Sequence, residues 1–146
     1  MTKMPPLEKV FEAWTALVDD RFELYPTHAT VTSSDGSKTY TVDWSDGVYR
    51  SNDNATYWQG YPGYPVLVVL LLQGRIPYEA RVARWFSGVA WKELNDTFKG
   101  DYQAVFEEAC NLKDIDEGRK IEAIRLAEED LAALEQLNLT VGRYQH

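Results

Sequence analysis

The sequence has little of what recognisable sites are usually built from. It contains one cysteine, Cys110, and two histidines, His28 and His146. A single cysteine forms no intramolecular disulfide, and no Cys/His cluster of metal-binding spacing is present. The segment Gly60-Tyr-Pro-Gly63 lacks the Lys-Ser/Thr continuation of a phosphate-binding loop. We therefore expect no metal, no cofactor and no catalytic residue that a motif would identify.

Long hydrophobic runs are also missing. The longest, Val66–Leu72, is far shorter than the roughly 20 apolar residues that a bilayer-spanning helix needs. No basic region followed by an apolar stretch precedes the first predicted helix, so nothing suggests secretion. The lone cysteine fits a reducing compartment. These features predict an intracellular, cytoplasmic protein.

Basic residues are scarce, and the net charge is −8. An acidic protein of this kind is repelled by nucleic acids and anionic membranes, so we expect neither as a partner. The charge is uneven: residues 1–60 carry −4, residues 61–100 carry +2 and residues 101–146 carry −6. The middle segment is the locally basic one.

Secondary-structure patterns place strands early and helices late. Pro5-Pro6 opens a first helix that is predicted to end near Phe22. Its apolar face opposes a polar face that we expect in solvent, made of Glu8, Lys9, Glu12 and Asp19. Alternating patterns over 27–32, 38–44 and 48–51, joined by turns at Gly36 and Gly47, predict a three-stranded antiparallel meander. The first helix is the nearest candidate to cover this sheet.

The second half reads as helical. Val66–Leu72 fits a buried strand or a buried helix, and we favour a helix because Pro65 suits its start and Gly74 its end. A helix that is apolar all round belongs at the centre of the protein. Four to five helices are expected in this half, the last with an apolar stripe at Ile121, Ile124, Ala127 or Glu128, Leu131 and Leu134. Residues 141–146 read as a frayed tail. The fold class is a single α+β domain over residues 1–146.

The most distinctive candidate site is the aromatic loop 57–65, which adjoins the basic segment. Aromatic rings on a loop shaped by proline and glycine can line a pocket, and guanidinium groups beside it can hold a carboxylate or phosphate. The alternatives are that the rings only complete the core and that the arginines only decorate a solvated helix. The candidate ligand-binding residues are Tyr57, Trp58, Tyr61, Tyr64, Arg75, Arg81 and Arg84.

Three functions stay open on this basis. The first is a small binding or interaction protein, with an unknown small molecule or protein as its partner. The second is a small-molecule enzyme that uses Asp43, Asp53 or His28 as acid–base groups. The third is a structural subunit of a homo-oligomer. The surplus aromatic residues suggest it, and the apolar stripe of the last helix or an uncovered sheet edge could form its interface. Monomer and homo-oligomer stay equally open.

Overall fold

The protein has an α+β fold, with an N-terminal helix, a five-stranded mixed sheet and several further helices. The structure is a computed structural model and describes residues 3–145. The strands are β1 Phe22–Leu24, β2 His28–Thr32, β3 Thr39–Ser45, β4 Val48–Ser51 and β5 Thr140–Arg143. The α-helices are α1 Glu8–Val18, α2 Tyr64–Leu72, α3 Ala80–Ala83, α4 Trp91–Thr97, α5 Tyr102–Leu112 and α6 Glu117–Leu137. A π-helical turn spans Ala55–Gln59 and a 3₁₀ turn spans Arg84–Phe86.

The sheet has the strand order β1-β2-β3-β4-β5. β1 to β4 pair antiparallel in sequence order, and β5 adds to β4 in parallel. The three predicted strands are present as β2, β3 and β4. The prediction of a three-stranded sheet was nevertheless incomplete, because two short strands extend it, one on each side.

Both missed strands come from segments to which another structure was assigned. α1 ends at Val18 instead of near Phe22, and Phe22 begins β1, where it pairs with Val31. The predicted frayed tail contains most of β5, in which Val141 pairs with Tyr49. His146, the last residue of that tail, lies outside the described residues. A partner strand distant in sequence therefore orders a segment with no alternating pattern of its own.

α2 is the centre of the molecule, as its composition predicts. Every residue from Pro65 to Leu71 is buried. α2 contacts β2, β3 and β4 on one side and α1 on the other. The helix that covers the sheet is therefore α2. The sequence had led us to expect α1 in this place. Although α2 is strongly apolar, none of the helices within residues 3–145 is long and apolar enough to cross a bilayer.

α1 carries an aromatic cluster on its side away from the sheet. The ring of Phe11 lies 4.6 Å from that of Phe106 and 5.3 Å from those of Trp14 and Phe86, centroid to centroid. These rings join α1 to α5 and to the 3₁₀ turn. Edge and offset contacts of this kind stabilise a core beyond the area they bury.

α6 packs through small residues and one carboxyl group. Its buried positions are Ala123, Ala127, Asp130 and Leu134, whereas Ile121 is 65% exposed. The predicted stripe was therefore right at Leu134 and at Ala127, one of its two alternatives, and wrong at Ile121, and the buried face also includes Ala123 and Asp130. Asp130 Oδ2 accepts a hydrogen bond of 2.9 Å from the indole Nε1 of Trp14. Burial raises the pKa of Asp130 to about 7.

The raised pKa of Asp130 predicts that Asp130→Asn stabilises the protein at pH 8. The unfolded chain loses the Asp130 proton near pH 4 and the folded protein near pH 7, so wild-type stability falls across that interval. Asparagine does not titrate, so the variant does not lose stability across that interval, and its side-chain oxygen still accepts the hydrogen bond from Trp14. Urea unfolding should show a gain of roughly 1–3 kcal/mol at pH 8 that disappears by pH 4.

The matched control is Glu129→Gln, because Glu129 is exposed and pairs with Arg125 on the same helix, at 2.9 Å. It should change stability by less than about 0.5 kcal/mol at either pH. An Asp130→Asn variant that is equally destabilised at pH 4 and pH 8 would contradict the assignment of a buried, proton-binding carboxyl group.

Candidate functional site

A polar cleft of about 320 Å³ lies where α1, the β2–β3 turn, the loop after β4 and α4 meet. The turn is connected directly to α4, because Ser34 Oγ accepts a hydrogen bond of 3.0 Å from the backbone N–H of Lys92. The cleft is lined by Lys9, Glu12, Arg21, Ser33, Ser34, Lys38, Tyr40, Asp53, Asn54, Ala55, Tyr64, Trp91, Lys92, Asn95 and Asp96. Its lining therefore comes from both halves of the chain.

The β2–β3 turn is rigid because Asp35 organises it. Asp35 Oδ1 accepts hydrogen bonds from Ser33 Oγ at 2.8 Å, Ser37 N at 2.9 Å and Ser37 Oγ at 2.7 Å. These hydrogen bonds, with help from nearby Lys92, lower the pKa of Asp35 to about 2. The turn positions Ser33, Ser34 and Lys38 at the cleft.

Four cationic side chains from separate segments converge on the cleft: Lys9, Arg21, Lys38 and Lys92. Lys92 lies 3.4 Å from Asp96 and 3.9 Å from Asp35. Within residues 3–145, neither Arg21 nor Lys38 forms an ion pair. Arg21 donates a hydrogen bond to the carbonyl of Thr32, which holds its guanidinium near the sheet.

Two carboxyl groups on α1 are buried beside these cations. Glu8 is 3% exposed and Glu12 is 5% exposed, so the prediction that they face solvent was wrong. Lys9 Nζ lies 3.1 Å from Glu12 Oε2 and pairs with it. Desolvation, and then the negative charge of Glu12, raise the pKa of Glu8 far above its ordinary value. Glu8 therefore holds its proton at neutral pH, and the two carboxyl groups together carry one proton.

Two tyrosines complete this part of the lining. The rings of Tyr40 and Tyr64 meet edge to face, with centroids 6.2 Å apart. Burial is the main cause that raises both pKa values, and the charge of Glu12 adds to it. Both phenols therefore stay protonated at neutral pH and can donate hydrogen bonds into the cleft.

Asp53 closes the cleft beside the start of α2. It is 5% exposed, and its carboxylate accepts hydrogen bonds from Ser51 Oγ and from the backbone N–H of Thr56. Gly63 packs directly against this carboxylate, since a Cβ at Gly63 would lie 1.9 Å from Asp53 Oδ2. Thr56 Oγ1 accepts a hydrogen bond of 2.9 Å from Gly63 N. Asp53 is therefore held by the fold on several sides.

The aromatic loop is divided between two surfaces. Tyr64 lines the cleft, and Tyr61 is buried near it, with a pKa raised to about 12 chiefly by that burial. Tyr57 and the 67% exposed Trp58 lie elsewhere, beneath the guanidinium of Arg143, whose carbon lies 4.9 and 5.2 Å from the two ring centroids. The four predicted rings therefore do not form one pocket.

The three arginines predicted beside the loop are exposed and have other neighbours. Arg75 donates a hydrogen bond of 2.7 Å to the hydroxyl of Tyr49. Arg81 pairs with Glu122 on α6 and lies over the ring of Trp85. Neither they nor Arg84 line the cleft.

The acid–base groups of the alternative enzyme prediction do not meet in the cleft, since His28 and Asp43 are neighbours on the sheet and do not line the cleft. Asp43 pairs with Arg50 at 2.8 Å across β3 and β4. His28 lies opposite Asp43 in the sheet, and its ring stacks on Tyr25 at 4.6 Å. Of the three predicted groups, only Asp53 lines the cleft, with both carboxylate oxygens already engaged.

The sequence reasoning missed the buried carboxyl groups and the cations around them. One signal was present: Glu12 is the only charged residue in the stretch from Val10 to Leu17. Nearly all of that stretch is buried, so α1 is surrounded rather than one-sided. No local signal points to Arg21 or Lys38, because their convergence depends on the sheet and on α4.

Comparison with known proteins identifies a family. The profile of the family described as Uncharacterised conserved protein UCP014422 matches residues 2–140, so the chain belongs to that family. Neither the comparison with curated proteins nor that with solved structures gave a match. The family description assigns no ligand or activity, and the function has to be argued from the site.

The contact between Asp53 and Gly63 predicts that Gly63→Ala destabilises the protein. The φ angle of Gly63 is −73°, which alanine adopts without strain, so the cost arises from the clash with the held carboxylate. Urea unfolding should show a loss of roughly 1–3 kcal/mol. The control is Gly118→Ala in α6, where the nearest atom is 3.7 Å away. That variant should gain up to about 1 kcal/mol in helix propensity, and equal effects of the two variants would refute the clash.

The shared proton predicts opposite effects of two isosteric substitutions at pH 7. Glu8→Gln should stabilise the fold by roughly 1–3 kcal/mol, because glutamine needs no proton uptake on folding. Glu12→Gln should destabilise it by roughly 1–3 kcal/mol, because it leaves Lys9 without its closest carboxylate. Urea unfolding measures both. At pH 4 the gain of Glu8→Gln should vanish, and stabilisation by both variants at pH 7 would contradict the proton assignment.

Proposed function

We propose that this protein binds a small oxyanion-bearing molecule in the polar cleft. The observation that supports the proposal is the convergence of Lys9, Arg21, Lys38 and Lys92 on one concave site in a protein of net charge −8. Three of these four come from residues 1–60, a segment that is itself net negative. Chance placement on an acidic surface does not favour such a cluster.

The cations in the cleft are only partly neutralised by the protein. Lys9 pairs with Glu12 and Lys92 with Asp96, whereas Arg21 and Lys38 have no ion-pair partner within the described residues. A guanidinium group and an ammonium group on opposite segments can hold a carboxylate or phosphate from two sides. The site therefore has unused capacity for an anion.

The size and the remaining lining favour a small molecule over a macromolecule. A volume of about 320 Å³ is at the lower end of the range of small-molecule sites. Ser33, Ser34 and the phenols of Tyr40 and Tyr64 supply hydrogen-bonding groups, and Trp91 supplies an aromatic surface. Convergent polar groups on a partly aromatic lining are typical of sites that orient a ligand.

The binding site predicted at the aromatic loop 57–65 and the adjoining arginines stays a prediction beside the polar cleft. Tyr61 and Tyr64 link the two, since Tyr64 lines the cleft and Tyr61 lies close to it. Tyr57, Trp58 and the three arginines belong to other surfaces, on which a protein partner remains a separate proposal. Monomer and homo-oligomer also stay equally open, as they were on the sequence alone.

Thermal unfolding with small oxyanions tests the proposed function. Wild-type protein is heated with sodium phosphate, sodium sulfate or sodium citrate, each at the same ionic strength as a sodium chloride reference. A specific ligand at about 100 times its Kd adds about 2.7 kcal/mol, which raises the Tm by several degrees. At least one of the three oxyanions should raise the Tm above the chloride reference.

The matched variants are Lys38→Ala at the cleft and Lys113→Ala at the end of α5. Both remove one exposed lysine, and Lys113 does not line the cleft. Lys38→Ala should remove most of the oxyanion-dependent rise, and Lys113→Ala should retain it. No rise with any oxyanion, or an equal loss in both variants, would refute binding at the cleft.

A further inference from the structure

We infer that the bound oxyanion is of the phosphate class and that Glu12 recognises it by accepting a hydrogen bond from its remaining proton. The inference rests on the proposed function and names the ligand chemistry of the same cleft. It assigns Glu12 as the residue that determines specificity. A carboxylate that lines an anion site repels an anion without a proton and accepts a hydrogen bond from an anion that carries one.

Glu12 lines the cleft together with the four cations and is 5% exposed. Its neighbours are Lys9, which pairs with it at 3.1 Å, and the protonated carboxyl group of Glu8, which can donate one hydrogen bond to it. A carboxylate has about four acceptor positions on its two oxygens. The positions that neither Lys9 nor Glu8 takes need donors, and a ligand bound in the cleft can supply one.

Buried acceptors without donors continue behind Glu12. Glu8 has Glu12 and Asn95 as its hydrogen-bonding neighbours, whereas Asn95 Oδ1 has no donor within residues 3–145. Leaving such groups unsatisfied costs roughly 1–3 kcal/mol each, so folded proteins rarely retain them without a reason. The proton that Glu8 keeps serves one of these acceptors, and this part of the site remains short of donors.

The other two carboxylates of the cleft differ from Glu12, since Asp53 has both oxygens hydrogen-bonded and the Asp96 side chain is 72% exposed, so that water satisfies it. Asp53 accepts hydrogen bonds from Ser51 and Thr56, and Asp96 pairs with Lys92. Further titratable groups on the elements around the carboxyl pair are the phenols of Tyr61, Tyr64 and Tyr102. Glu12 is therefore the acceptor that meets an anion held by Arg21 and Lys38.

An oxyanion without a proton is repelled by Glu12, whereas one with a proton forms a charge-assisted hydrogen bond with it. Inorganic phosphate keeps at least one proton around neutral pH, and a phosphate monoester, whose second pKa lies near 6, readily regains one. Sulfate, of the same shape, keeps none. The cleft should therefore accept inorganic phosphate or a small phosphate monoester and exclude sulfate. Its volume leaves room for a small organic group against Trp91.

Isothermal titration of wild-type protein with inorganic phosphate and with sulfate at pH 7 and equal ionic strength tests the inference. Phosphate should bind at least roughly tenfold more tightly than sulfate, because phosphate forms a hydrogen bond with Glu12 whereas sulfate is repelled by it. In Glu12→Gln the amide neither repels sulfate nor requires a proton. The ratio of the two affinities should therefore fall towards one, while sulfate binding strengthens.

Two controls keep the test decisive. Glu8→Gln should keep the preference for phosphate, because Glu8 lies behind Glu12 and does not line the cleft. Phosphorus NMR of a small phosphate monoester, which can lose its last proton near neutral pH, reports the protonation of the bound group directly in the wild-type protein and does not depend on how well Glu12→Gln folds. A protonated bound form is expected, and a fully deprotonated one would overturn the inference.

The outcomes also separate this inference from the proposed function. Equal binding of phosphate and sulfate in the wild type, or a preference for sulfate, overturns the role of Glu12 and leaves an oxyanion site in place. Retention of the full preference in folded Glu12→Gln does the same. If phosphate, sulfate and citrate all fail to bind, the proposed function itself fails and the inference with it.

Discussion

The fold depends on the need to bury α2 on every side. A nine-residue helix without a polar face cannot lie on a surface, because it would leave a large apolar area in water. The sheet covers one side of α2 and α1 covers the other. This arrangement pushes α1 into the interior as well, so the polar residues of α1 cannot all reach solvent. The buried carboxyl groups follow from the central position of α2.

Local signals were sufficient where one segment determines its own structure. Pro65 and Gly74 bound an apolar run of helical length, and the structure has a helix there. The turns at Gly36 and Gly47 both have positive φ, which explains why the β2–β4 meander was predictable. Asp101 and Asp116, whose side chains accept from the N–H groups of Ala104 and Arg119, mark the starts of α5 and α6 in the same local way.

Non-local packing decided the rest. β5 has four residues, pairs in parallel and reaches back to β4 from the far end of the chain, so nothing in its own sequence marks it as a strand. The buried face of α6 is set by Trp14, whose indole N–H requires an acceptor and finds Asp130. The polar face of α1 looked exposed from the sequence because the residues that cover it are distant from α1 along the chain. Its cover comes from α4 and from the residues that line the cleft beside Glu12, which a helical wheel of α1 does not contain.

The candidate site illustrates how the net charge of a segment differs from the placement of its charges in space. The locally basic segment 61–100 sends Arg75, Arg81 and Arg84 to the outer surface, whereas the acidic segment 1–60 places three of its five cations in the cleft. A segment's net charge says how many charges it has but not where the fold points them. The aromatic loop was a better guide, since it leads to the cleft through Tyr64 even though its exposed ring, Trp58, lies elsewhere.

The proton that Glu8 keeps determines the sign of the net charge of the cleft. Four cations, Lys9, Arg21, Lys38 and Lys92, face three lining carboxylates, Glu12, Asp53 and Asp96, which leaves a single net positive charge. An ionised Glu8 directly behind Glu12 would cancel that charge and repel an anion. Burial prevents this, because desolvation keeps Glu8 protonated. The same packing that encloses α2 and buries α1 thus keeps the cleft receptive to an anion, and the fold and the proposed chemistry of the site share one physical cause.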